Sequence, residues 1–146
     1  MLKLSLALAA LALAGCADMF GSNNSARMAT VAPTGAELAA YAAAHPYPTT
    51  MPTNEHFRAA AIVDRANGTI KIYNFDTKPI ADATVWVNRS FVQHLNGIAP
   101  NSSAVVLINQ LYNGMGKSLS SLNEPITIVQ LEMNGTLYTL QGPAAD

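Results

Sequence analysis

The chain has 146 residues, of which 50% are hydrophobic and only 12% charged, with 8 Lys and Arg against 9 Asp and Glu. That is room for one domain of ordinary size plus a tail. No basic block or stripe is present to meet phosphates, which removes the electrostatic footprint of a nucleic-acid binder. No acidic cluster suits calcium.

The amino terminus comes first in chain order. Met1-Leu2-Lys3 places a single positive charge ahead of an uncharged apolar run, Leu4 to Ala14. This is the layout of a secretory signal. It is short for a transmembrane helix, which needs about 20 apolar residues. The run ends Leu13-Ala14-Gly15-Cys16. The motif resembles the lipobox of bacterial lipoproteins. By that resemblance, small side chains before the cysteine give a membrane peptidase access to the backbone, and the thiol is the nucleophile that takes up a lipid. The resemblance implies diacylglycerol on Cys16, removal of residues 1–15 as a lipoprotein signal peptide, and acylation of the new amino group. Several acyl chains on one residue meet the requirement that stable anchoring takes more than one chain. Cys16 is the only cysteine, so no internal disulfide is available and lipidation accounts for the odd thiol. Ala17 follows it rather than Asp, which by resemblance favours the outer membrane, facing the periplasm, over inner-membrane retention.

From residue 16 to 55 large aliphatic residues are few. Gly21-Ser22-Asn23-Asn24-Ser25 reads as flexible chain. Thr34 and Glu37 have the spacing of a capping box. Alanines favour a helix over 35–44, and Pro46 stops it. Its apolar face, Leu38, Tyr41 and Ala42, is thin, so alone it is marginal in water. The run from Pro46 to Thr53 reads as extended, polyproline-like chain. Residues 16–55 are therefore expected to be a lipidated cysteine and a linker holding one short helix, with that helix docking on its own domain in preference to a partner.

The pattern changes at residue 56. Strands are predicted at 59–66 and 69–75, joined at Asn67-Gly68 by a two-residue hairpin turn with both residues at positive φ. Further strands are predicted at 80–88, with Ala83, Val85 and Val87 on one face and Thr84 and Trp86 on the other, and at 91–95. Ala104 to Ile108 is the most apolar stretch and reads as a central strand. A terminal hairpin covers 126–133 and 136–141 around Asn134-Gly135. No segment beyond Glu55 has a helical period. About seven short strands with regular turn signals predict an all-β domain over 56–146, an antiparallel β-sandwich.

Asn74-Phe75-Asp76, Val85-Trp86-Val87-Asn88, Leu95, Ile98 to Ser102 and Val105 to Leu107 resemble, over about a third of the chain, the strand series of small immunoglobulin-like sandwiches on bacterial lipoproteins. The resemblance implies that fold and no particular ligand. It offers Trp86 for the core-tryptophan role, while Val85 and Val87 compete for the inward face.

No catalytic, cofactor-binding or metal constellation is legible. His45, His56 and His94 are far apart and lack zinc-ligand spacing. Glu55 and His56 point apart on extended chain. Asp64, Asp76 and Asp82 read as turn and strand-end residues, with a meeting in space left open. Tyr73, Trp86, Phe91 and Tyr138 are offered as an aromatic patch, with packing in the sandwich the stronger expectation. The expected function is a lipid-anchored, non-enzymatic binding or structural module of the cell envelope, held to the membrane through Cys16 and meeting a protein partner at a sheet edge. The competing readings are an accessory subunit of an envelope assembly or secretion complex, and an envelope hydrolase, which needs Asp64, His94 and Ser90 or Ser103 to converge.

Overall fold

The computed structural model describes residues 32–142, so the expected lipobox and Cys16 lie outside the described residues. The described chain is mostly β, in two sheets. Helix α1 spans Gly35–Ala44 and is followed by strands β1 (Thr53–Asn54), β2 (Ala59–Asp64), β3 (Thr69–Asn74), β4 (Ala83–Val87), β5 (Phe91–Leu95) and β6 (Ser102–Leu107). A 3-10 turn at Ile108–Gln110, strand β7 (Tyr112–Asn113), a one-turn helix α2 (Leu119–Leu122) and strands β8 (Val129–Met133) and β9 (Thr136–Thr139) complete it. One sheet has the order β1-β9-β8-β4-β5-β7 and the other β2-β3-β6.

Alternation of side chains builds the core between the sheets. Ala59, Ala61, Ile70, Ile72 and Val106 point inward from the three-stranded sheet. Val85, Val87, Phe91, Leu95, Val129 and Leu131 meet them from the larger sheet. Asn74 is fully buried at one end and acts as a bracket. Its amide nitrogen donates to the carbonyls of Lys78, Ile98 and Ala99, and its oxygen accepts from the Asp76 amide. Every polar atom of that side chain is thus paired, which offsets its desolvation.

Strand β4 is apolar on both sides because both sides are covered. Val85 and Val87 face the other sheet, while Trp86 faces outward into a second cluster with Ala42, Val92 and Leu137. Helix α1 lies over this cluster. Thr34 accepts a hydrogen bond from the Glu37 amide, and the Glu37 carboxylate accepts from the Thr34 amide, forming the expected capping box. Leu38 and Ala42 are the buried residues of the helix. The following chain straps the cluster down: the Tyr47 ring meets Trp86 edge-on at 5.2 Å, and its hydroxyl donates to Gln130.

Several expectations need correction. Helix α1 docks on its own domain as expected, but the rest of the described part of the 16–55 linker packs as well: the 45–52 strap lies on the sheet and β1 pairs with β9, so the compact unit begins at Ala32 instead of residue 56. The β1–β9 pairing is parallel, so the larger sheet is not wholly antiparallel. Two further short strands, β1 and β7, raise the count among the described residues to nine. Helical structure does occur beyond Glu55. In α2 the Ser118 side chain accepts from the Ser121 amide and Asn123 closes the turn at φ 50°, so caps support a helix too short to show a period. The Asn67-Gly68 turn is longer than expected: Asp64 pairs with Thr69, leaving four residues between, and of the two only Gly68 has positive φ. The Asp64 carboxylate accepts from both the amide and the side chain of Asn67, and this local bonding competes with the tighter turn. At Asn134-Gly135 both residues do have positive φ between paired Met133 and Thr136. Finally, β6 is an edge strand and not a central one.

Candidate interaction face

The three-stranded sheet turns its other side outward. Registers place Ile62, Lys71 and Val105 in one row across β2, β3 and β6, with Asp64, Thr69 and Leu107 in a second row and Ala60, Tyr73 and Ser103 in a third. Because alternate residues share a face, these rows form one surface. Its apolar members are not covered: Ile62 is 55% exposed, Val105 56% and Leu107 38%. Phe75, two residues beyond Tyr73, is 51% exposed and stacks on it with centroids 5.9 Å apart. The Lys71 ammonium lies 4.9 Å from the Tyr73 ring centroid, where the ring quadrupole attracts it. Lys71, Tyr73 and Phe75 thus form a ladder down the centre of the face.

The edges differ. The start of β2 is partly closed by Gln141, which accepts from the Ala61 amide. Strand β6 pairs only with β3 among the described residues. The Ile108 amide, in line with the even-numbered residues of β6, donates to the Gly68 carbonyl on the β3 side. In an antiparallel ladder alternate residues bond the same neighbour. The amides of Ser103, Val105 and Leu107 therefore point to the open edge. At the Leu107 end lies a cleft of about 350 Å³ lined by Arg65, Asn67, Gly68, Ile108, Asn109, Ser120 and Asn123 as well as Leu107. At the opposite end a cleft of about 480 Å³ is lined by His56, Phe57, Arg58, Phe75 and Gln141.

Two carboxylates bound this face. Asp64 is held below its ordinary pKa by hydrogen bonds from the Asn67 side chain and amide. Asp76 is held below its own by the Lys78 and Thr77 amides, with Arg58 adding attraction. Both are bound within their own turns, and both stay ionised at neutral pH.

The remaining candidate residues are dispersed. Asp64 and His94 stand on opposite outer sides of the sandwich: Asp64 shares a face with Ile62, whereas His94 pairs across from Thr84 on the Trp86 side of the larger sheet. Ser103 lies on the Asp64 side and Ser90 in the β4–β5 turn, so the hydrolase grouping is not assembled. Asp76 and Asp82 line one cleft of about 220 Å³, and Asp64 is at the other end of the sheet. His94 is exposed, as an outward strand residue should be, and shares a small cleft with Asp82, Thr84 and Glu132. His45 caps α1 with its ring stacked on Tyr41, and His56 follows β1. Among the described residues no group of three or more His, Cys, Asp or Glu is placed to hold a metal ion. The four aromatics do not form one patch. Trp86 and Phe91 are buried, in different clusters, Tyr138 packs on Phe57, and only Tyr73 belongs to the open face.

No helix among the described residues is long and apolar enough to cross a membrane. Compared with family models, with curated proteins and with solved structures, the chain matches none.

Proposed function

We propose that this chain is a lipid-anchored lipoprotein of the bacterial cell envelope whose sandwich works as a non-enzymatic binding or structural module. The lipobox Leu13-Ala14-Gly15-Cys16 supports the anchor, and Ala17 supports the outer membrane, facing the periplasm, as its site. One observation carries the binding role: β6, apolar from Ala104 to Leu107, is an edge strand with Val105 and Leu107 exposed and its edge open among the described residues. Natural edge strands are usually blunted by charge, proline or a bulge. Every residue of β6 is uncharged and none is proline. An edge left in this state suits pairing with a partner strand, with the Lys71–Tyr73–Phe75 ladder beside it.

The strand connectivity supports an immunoglobulin-like reading of the sandwich. Counting β2 to β6, β8 and β9 as seven successive strands, the first, second and fifth form one sheet and the seventh, sixth, third and fourth the core of the other. The chain departs from that family at Trp86, which packs under α1 and not between the sheets.

The anchor is tested by Cys16→Ser, which is expected to leave the precursor uncleaved or to release the protein from the membrane fraction. Normal maturation and lipid labelling of that variant would refute the lipoprotein reading.

A further inference from the structure

Resting on the reading of β6 as a contact edge, we propose that β6 and the cleft at its Leu107 end receive an extended peptide running parallel to β6 and ending in a free C-terminal carboxylate. The edge supplies the amides of Ser103, Val105 and Leu107 to the incoming backbone. Side chains on the outward side of that peptide land beside Val105 and Leu107, which favours apolar residues at alternate positions.

The cleft supplies the charge preference. Among the described residues Arg65 is its only charged lining residue, and Asn67, Asn109, Ser120 and Asn123 bring amide and hydroxyl donors around it. The guanidinium is already steadied by donating to the Glu124 carbonyl, and four of its five N–H groups remain for a carboxylate. Asp64 and Glu124, adjacent in sequence to lining residues, do not themselves line the cleft. Asp64 is turned to the Asn67 amides, and the Arg65–Glu124 bond uses the backbone carbonyl of Glu124. A peptide parallel to β6 delivers its carboxylate to this end, whereas an antiparallel one delivers its amino group to an arginine.

The test uses the full chain, isotope-labelled, and two synthetic probes: the hexapeptide Thr-Val-Thr-Val-Thr-Val with a free C-terminal carboxylate, and its C-terminal amide. The free acid is expected to shift and protect the amides of Ser103, Val105 and Leu107. Amidation and Arg65→Gln are each expected to weaken binding about tenfold or more, the worth of a charge-assisted hydrogen bond. Arg65→Lys, which keeps the charge, should lose less than Arg65→Gln. Equal binding of acid and amide at β6 overturns the carboxylate site and leaves the edge reading standing. Absence of any β6 response overturns both. Protection of the same amides by self-association, without peptide, makes a second copy of the chain the occupant and also overturns the proposal.

Discussion

On the outer side of the larger sheet, Trp86, Val92 and Leu137 are at most 2% exposed beneath α1 and the 45–52 strap. On the outer side of the smaller sheet, Ile62 and Val105 stand at 55% and 56% with nothing over them among the described residues. Both sides carry apolar side chains at outward positions, and they differ in cover. The segment 32–52 meets one of them, seated by a capping box, a tyrosine on tryptophan and a Tyr47–Gln130 hydrogen bond. The comparison separates two uses of the same pattern: a sheet face that completes the fold, and one that remains available for contact.

The largest test of this contrast is Trp86→Ala. Truncation opens a cavity under α1 and removes the donor to Glu132, so a loss of about 3–5 kcal/mol is expected in denaturant unfolding. A loss below about 1 kcal/mol, the ordinary effect of a point change, would show that the cover contributes little. Next is Ala42→Leu, at a position 2% exposed between helix and sheet, where overpacking should cost about 1–3 kcal/mol. The same added bulk at exposed Ala43 should be nearly neutral. On the open side, Ile62→Thr and Val105→Thr should each change stability by about 0.5 kcal/mol or less. A cost resembling that of Ala42→Leu would mean that this side is covered after all.

The smallest expected effect concerns acid. Glu37 is held below its ordinary value of 4.5 by hydrogen bonds from the Thr34 amide and hydroxyl. A folded-state pKa lower than the unfolded one means that the stabilisation is fully present above 4.5 and is lost as pH falls through the lowered value. Tryptophan emission should therefore be flat above that pH and shift to the red below it, as α1 loosens over Trp86. Asp64 and Asp76 follow the same sign from 3.8 downward on the open side, away from the tryptophan. In Glu37→Gln the red shift should lose its pH dependence, and an unchanged profile would exclude the cap as its source.

Much of this arrangement was legible in local chemistry. Thr34, Glu37 and Pro46 predict the bounds of α1, and Asn134-Gly135 predicts its hairpin, because caps and tight turns depend on neighbours in sequence. The alternation through 83–87 places Val85 and Trp86 on opposite sides correctly. The position of β6 was not legible. A run such as Ala104 to Leu107 reads as buried on both sides, as a central strand is. Whether a second neighbour exists is decided by pairing between distant segments, which leaves no local mark. Docking of α1 on its own domain was expected, but its seat over Trp86 was hidden, since an alanine-rich helix with two buried residues has too little apolar surface to announce which face it covers. The apolar run of β6 disagrees with its place at an edge, and β6 is also the strand proposed to bind, which is where local and global signals are expected to part.

Site-specific photo-crosslinking tests the contrast most directly. In intact membranes, the full chain carries a photoreactive side chain in place of Val105 or, separately, of Ala43 on the exposed surface of α1. The account predicts a discrete adduct of defined mass from position 105 and none from position 43. Adducts from position 43 alone, or the same products from both, would contradict the claim that the uncovered sheet is the contact face.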